Sequence, residues 1–311
     1  MSKSEPFYLN NIVSGNTDPK RSILVVAGVH GNEHNAVLAA YRLYRALVDE
    51  TDHNLKPKHT VRFLLGLNKW GLLNNTREWG TREDVYPDPL LDESGIDFNR
   101  VFDEKYAEST AKEARDHVIY AIESSDIVID VHNSAACENM VVINNDEYAA
   151  STVKFLNECH LDRYMVREST TGTIKKYAMS RGKAAFTVEL GGMTLGPHDG
   201  SVMIDQAAYL KTLVSLLDDF MPRFGKGKPL PPWQLAMTVP ARAFGMIDEV
   251  KFSRHVEMKA GEVFATMVTD SDNPDDRVFR APCDGRLVAC MPTRFVKPGD
   301  EIFTWQPMVK D

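Results

Sequence analysis

The sequence predicts an α/β fold followed by a smaller, all-β carboxyl-terminal region. Three observations lead there. Between Arg21 and Phe220, short apolar runs alternate with segments whose apolar residues recur every three or four positions, as strands alternate with the helices that cover them. Residues 221–232 concentrate proline, glycine and lysine and break both periodicities. Beyond them the chain carries strand and turn patterns only.

Strands are expected at 22–27, 61–67, 126–131, 140–143 and 185–190, where apolar, largely β-branched runs are bounded by turn residues. Helices are expected at 33–48, 107–124, 150–159 and 204–220, each with an apolar stripe to lay on a sheet. A mostly parallel or mixed sheet flanked by helices follows. The linker divides the chain into a larger domain, 1–225, and a smaller one, 226–311, of sandwich-like β character. In the tail, strands are expected at 236–239, 246–252, 263–268, 286–290 and 301–305. There Met258-Lys259-Ala260-Gly261-Glu262 resembles Val296-Lys297-Pro298-Gly299-Asp300, which predicts two related turns. A carrier lysine at Lys259 is the functional alternative to a solvated hairpin residue.

The 311 residues, 43% hydrophobic and 26% charged, have the composition of a soluble globular protein with a sizeable core. A formal net charge of -8 argues against nucleic acid or an anionic membrane as partner. The four cysteines have neither zinc-ribbon spacing nor disulfide-scaffold density, so reduced thiols in cytoplasm are expected. Met1-Ser2-Lys3-Ser4-Glu5-Pro6 lacks an apolar signal core, and no stretch approaches the roughly 18 apolar residues of a membrane span.

The chemistry concentrates at strand ends. His30-Gly31-Asn32-Glu33 follows the apolar run at 23–29, and the run at 127–131 delivers His132. Two histidines and a carboxylate are a ligand set for catalytic zinc, which keeps its fourth position for water, so a hydrolase is indicated. His30-x-x-Glu33-His34 also fits an inverted zinc-protease helix, with His30 and His34 as ligands. Gly28, Gly31 and Asn32 are poor helix formers, which favours a strand-end His30, Glu33 entering the next helix and His34 turned elsewhere.

Four segments in order extend this constellation: Gly28-Val29-His30-Gly31-Asn32-Glu33, Asp97-Phe98-Asn99-Arg100, Asp130-Val131-His132-Asn133 and Val188-Glu189-Leu190-Gly191-Gly192. With them the chain resembles the aspartoacylase and succinylglutamate desuccinylase family of the zinc carboxypeptidase superfamily. That resemblance implies a zinc-carboxypeptidase-like catalytic domain with one Zn2+ per chain on His30, Glu33 and His132. It implies Glu189 as general base, Arg77 polarising the scissile carbonyl, and Asn99 and Arg100 holding the substrate's α-carboxylate. Asp97 is expected to accept from a ligand histidine, and Asp130 either serves His132 in the same way or is a strand-end acid facing solvent.

The chain also departs from the family. Asn68-Lys69 stands where Asn-Pro is usual, and residues 78–98 form a longer segment, a lid or a passive insertion. No arginine falls cleanly at the acyl-carboxylate position; Arg181, Lys175 and Lys176 are the alternatives, with Arg181 taken first. Residues 231–311 contain no tyrosine, which weakens N-acetylaspartate as substrate. His198, on a glycine-rich loop, reads as an ordinary polar residue. The expectation is a cytoplasmic zinc amidohydrolase acting on a small N-acyl amino acid, and a homo-oligomer is compatible with it. A zinc carboxypeptidase for short peptides and a non-catalytic binding protein on the same fold are the alternatives.

Overall fold

The computed structural model describes residues 18–48, 57–80, 95–103, 111–134, 139–161, 163–168, 170–191, 200–220, 222–250, 257–269, 271–290 and 295–308. In chain order its first strands are β1 (Asp18–Ala27), β2 (His59–Leu65), β3 (Ile127–Ser134), β4 (Met140–Asn145), β5 (Tyr164–Glu168) and β6 (Ala184–Gly191). The helices are α1 (His34–Val48), α2 (Lys69–Asn74), α3 (Lys112–Glu123), α4 (Ala149–Glu158), α5 (Ile174–Ser180) and α6 (Gly200–Phe220). Strands β7 (Met237–Pro240), β8 (Gly245–Val250), β9 (Val263–Thr269), β10 (Val278–Arg280), β11 (Gly285–Cys290), β12 (Phe295–Val296) and β13 (Glu301–Pro307) make up the tail. Most of the 78–98 segment (residues 81–94), together with Cys137 and His198, lies outside the described residues.

Two compact units divide the chain: Met1–Ser134 with Thr170–Phe224, and Ala135–Ser169 with Gly225–Asp311. In the first, β2, β1, β3 and β6 lie side by side, every neighbouring pair parallel. β3 is buried from Ile127 to Asn133 without alternation, the mark of a parallel strand covered on both faces. Helix α1 buries Ala36, Ala39, Ala40, Leu43 and Leu47, a stripe at three and four spacing, and packs on these strands and on α6. Among the described residues no helix is long and apolar enough to cross a membrane.

The second unit joins the parallel pair β4–β5 to two antiparallel sheets, β10-β9-β8-β12 and β11-β13-β7. Its tail core is aromatic: Phe264 meets Phe303 edge-on at 5.0 Å and Trp305 at 5.4 Å. The segment Ala135–Ser169 belongs here because buried Gln306 accepts from Val166 N at 2.7 Å and donates to Gln234 O at 2.9 Å. The two related turns match bond for bond. Lys259 and Lys297 each accept from the residue three positions on at 3.1 Å, and Gly261 and Gly299 take φ of 86° and 90°. Each lysine's N–H also donates to the acid that closes its turn, Glu262 at 3.1 Å and Asp300 at 3.0 Å. Lys259 Nζ pairs with Asp284 at 2.9 Å, as a hairpin lysine would.

Candidate functional site

β1 ends with Ala27 against Val131 of β3, and the chemistry-bearing residues lie just beyond that pair. Gly28 turns the chain with φ of 82°; a Cβ there would stand 2.8 Å from Val37 Cγ2 and 2.9 Å from Gly66 Cα. The chain then crosses α2 so closely that a Cβ on Gly31 would lie 2.0 Å from the Gly71 carbonyl carbon. Glu33 comes immediately before α1, which begins at His34. His30 and Glu33 are therefore outside the helix, and His34 Nε2 donates to Leu72 O at 3.1 Å, so the helical protease pair is excluded.

His30, Glu33 and His132 converge, all buried, with ligand atoms within 4.8 Å of one another. His30 Nδ1 lies 2.8 Å from Glu33 Oε1, His132 Nδ1 lies 3.0 Å from Glu33 Oε2, and the two Nδ1 atoms are 3.1 Å apart. Tetrahedral zinc with bonds of about 2.0–2.1 Å needs donor atoms about 3.3 Å apart, close to this spacing. The far nitrogens face carboxylates: His30 Nε2 is 3.1 Å from Asp97 Oδ1, and His132 Nε2 is 2.9 Å from Asp130 Oδ2. His132 Nε2 also has Asn99 Nδ2 at 3.0 Å; with the ring protons on Nε2, toward the two carboxylates, both Nδ1 atoms are left as bare acceptors. Three acceptors then point at one another with no donor between them, an arrangement that a cation resolves.

The electrostatics agree. Burial alone would raise the Glu33 carboxyl, but the charge and hydrogen bonds of His132 and His30 outweigh it and hold the group at about 2. Burial would lower His132, yet Asp130 and Glu33 push it well above the ordinary imidazole value. Asp97 is likewise held well below the carboxylate range: burial opposes, and His30, Arg77 and Arg100 prevail.

Glu189 faces this group from β6, where it is the register partner of His132 on β3. Burial raises its carboxyl to about 7, with Glu33 and Asp130 adding to the rise and His132 and His30 opposing it. Such a value suits a group that must both take and return a proton near neutral pH.

Arg77 reaches the same cluster: Nη2 donates to Asp97 Oδ2 at 3.1 Å, and Nη1 is 3.8 Å from Glu33 Oε1. Its loop is pinned by Asn68, fully buried, whose Nδ2 donates to Arg77 O at 3.1 Å and Glu78 O at 2.9 Å while Oδ1 accepts from Gly71 N at 2.8 Å. The sequence marked Asn68 only by the Asn68-Lys69 pair that stands where Asn-Pro is usual. Arg100 donates to Asn99 O at 2.7 Å and keeps 40% of its side chain exposed.

Two of the residues expected to contact substrate, Asn99 and Arg181, are engaged within the protein. Asn99 is buried and its polar atoms are engaged inside the protein, Nδ2 donating to Asp130 Oδ2 at 3.1 Å and Oδ1 accepting from Ile174 N at 3.0 Å. Its side chain thus braces the acid behind His132. Arg181 is not brought to the cluster. It caps the carboxyl end of α5, over the Tyr177 ring at 5.1 Å and 3.3 Å from Glu123. That places it before the amino end of β6, whereas Glu189 lies five residues along that strand, roughly 16 Å at strand rise. Of the other two cations considered, Lys175 is buried, beside the Ile174 whose N–H meets Asn99.

The chain is similar to known proteins over most of its length. Residues 19–217 match the family model for the succinylglutamate desuccinylase/aspartoacylase catalytic domain. No curated protein matches the chain in sequence. Among solved structures, an aspartoacylase family protein from Mesorhizobium loti is similar with a TM-score of 0.62 at 19% identity, covering 96% of this chain and 88% of that one. A succinylglutamate desuccinylase/aspartoacylase from Rhodobacter sphaeroides gives 0.60 at 18%, with the same coverage. The product-bound ectoine utilization protein EutE (DoeB) from Ruegeria pomeroyi gives 0.60 at 14%, again over 96% and 88%. At such identities the likeness is one of fold.

Proposed function

Because the chain belongs to the succinylglutamate desuccinylase/aspartoacylase family, whose members are deacylase hydrolases, we propose that it is a zinc-dependent hydrolase of N-acyl amino acids. The observation that carries the proposal is the convergence of three buried acceptors, His30 Nδ1, His132 Nδ1 and Glu33, beneath a carboxyl raised to about 7 at Glu189. His30, Glu33 and His132 would hold one zinc per chain. When bound, the metal supplies a Lewis acid for the amide carbonyl and lowers the pKa of a water to about 7.

The protein's own groups do the rest. Glu189, beside His132 across the β3–β6 pair, takes the proton of the attacking water and returns it to the leaving amine. Arg77, on a loop fixed by Asn68, offers a permanent positive charge to the oxygen on which charge develops. Arg100 presents a planar, partly exposed fork suited to the substrate's α-carboxylate. Asp97 and Asp130 keep the histidines in the tautomer that turns Nδ1 inward, and Asn99 braces Asp130.

A panel of N-acetyl, N-succinyl and N-formyl amino acids, run beside short peptides with and without added zinc, tests the reading. Hydrolysis of N-acyl amino acids that tracks zinc content is expected, and Glu189→Gln should lower kcat by about 100-fold or more while zinc is retained. Absence of turnover across the zinc-loaded panel would overturn the proposal, and unchanged turnover in Glu189→Gln would overturn the assignment of the base.

A further inference from the structure

Strand pairing is only part of what holds the backbone that carries Glu189. The next two residues on β6 are Leu190 and Gly191, and a buried side-chain amide grips the carbonyl of each. Asn133 Nδ2 donates to Leu190 O at 2.6 Å, and Gln206 Nε2, from α6, donates to Gly191 O. Asn133 is 4% exposed and Gln206 0%. Reversing either amide would set its oxygen against a carbonyl oxygen, so the acceptors fix both orientations. In those orientations Asn133 Oδ1 and Gln206 Oε1 are buried without a hydrogen-bond partner among the described residues. A residue that only filled space would not carry that penalty.

Asn133 has a second attachment. Its backbone N–H donates to Glu33 Oε2 at 3.2 Å, so one residue ties a metal-ligand carboxylate to the strand that bears Glu189. We propose that Asn133 and Gln206 are positioning residues for Glu189, an inference that rests on the reading of Glu189 as the base. The two amides clamp consecutive peptide groups directly after it and set where its carboxyl stands relative to His132 and Glu33. With either donor lost, the freed carbonyl turns toward another partner and the carboxyl moves with its peptide. A displacement of about 1 Å at a reacting group costs up to about 100-fold in rate.

Gln206→Met and Asn133→Leu keep side-chain volume while removing the donor. With the N-acyl amino acid of the panel that the wild-type protein hydrolyses fastest, kcat should fall about 10- to 100-fold with KM within about twofold and zinc per chain unchanged. Leu213→Ala, in the core on the same helix but away from Gly191, should lower the melting temperature and keep kcat. Hydrogen exchange in Gln206→Met should rise across the Ala184–Gly191 strand. A kcat within twofold of wild type in both amide variants, or a fall matched by loss of zinc, would overturn the clamp. Unchanged turnover in Glu189→Gln would instead remove the base on which the clamp acts. One measurement needs no variant: in the wild-type protein the side-chain NH2 protons of Asn133 and Gln206 should exchange as slowly as core amides. Exchange at the rate of exposed amides overturns the inference even if neither variant folds.

Discussion

Asp130→Asn probes the cation site through its support. Asp130 is fully buried, and its Oδ2 receives both His132 Nε2, at 2.9 Å, and Asn99 Nδ2, at 3.1 Å. Its Oδ1 has no hydrogen-bond partner among the described residues. The asparagine therefore settles with its oxygen in the Oδ2 position, where both incoming donors are kept, and its amide nitrogen in the Oδ1 position. The reverse orientation would set a second donor, beside Asn99 Nδ2 at 3.0 Å, against His132 Nε2, force the proton onto Nδ1 and close the site. What the favoured orientation loses is the ionic part of the bond to His132. Hydrogen bonds to charged groups contribute about 1.5–3 kcal/mol against 0.5–1.5 kcal/mol for neutral ones, a difference of roughly 1–1.5 kcal/mol. This corresponds to zinc affinity about tenfold weaker, within the range seen when such outer partners are removed. The assay is competition of the purified metal-free protein against a zinc-binding dye above neutral pH, where His132 carries its proton least. A dissociation constant within twofold of wild type would refute the reasoning that Asp130 acts on the metal through His132.

The metal-free protein should lose stability as pH rises toward neutral because of Glu189. Its carboxyl is raised from an ordinary 4.5 to about 7, so its contribution is full below 4.5 and is lost as pH climbs through 7, at most about 3 kcal/mol. Thermal melts of metal-free wild type against Glu189→Gln should diverge across that window, and parallel curves would contradict the raised carboxyl. Arg77→Ala should lower kcat by about 100-fold with zinc content preserved, as removal of a donor to a developing oxyanion does; an effect on KM alone would assign Arg77 to ground-state binding. Gly31→Ala forces a methyl onto the Gly71 backbone and should destabilise by about 3 kcal/mol, measured by urea unfolding. A cost below about 0.5 kcal/mol would mean that the two segments separate freely.

Much of the fold was legible because its signals are strong. β3 and β6 are nearly continuous apolar runs, and α1 carries a clear stripe. The short elements were not legible. Helix α2 has six residues and contains a glycine, β12 has two, and β5 ends in the exposed pair Arg167-Glu168, so none carries enough periodicity to register. The convergence of His30, Glu33 and His132 beside Glu189 was readable because strand ends in such sheets gather function and their motifs are local. Arg181 misled because distance along the sequence from Glu189 says nothing about which end of the strand a residue occupies. The bond from Asn99 to Asp130 was not legible, because a motif names a residue and not the direction of its amide.

By itself the sequence determined the alternation of strands and helices, the change of character near residue 225, and the chemical identity of a His-Glu-His site with a carboxylate nearby. These are properties of pattern and donor type, carried by a few neighbouring residues. Only the tertiary structure decided that Nδ1 of each histidine turns inward, that Asn99 braces Asp130, that Arg181 stands at the wrong end of β6, and that Asn133 and Gln206 grip the backbone after Glu189. Those facts depend on which face a side chain takes and which distant backbone it meets. Packing between segments far apart in sequence sets them, and no local pattern records it.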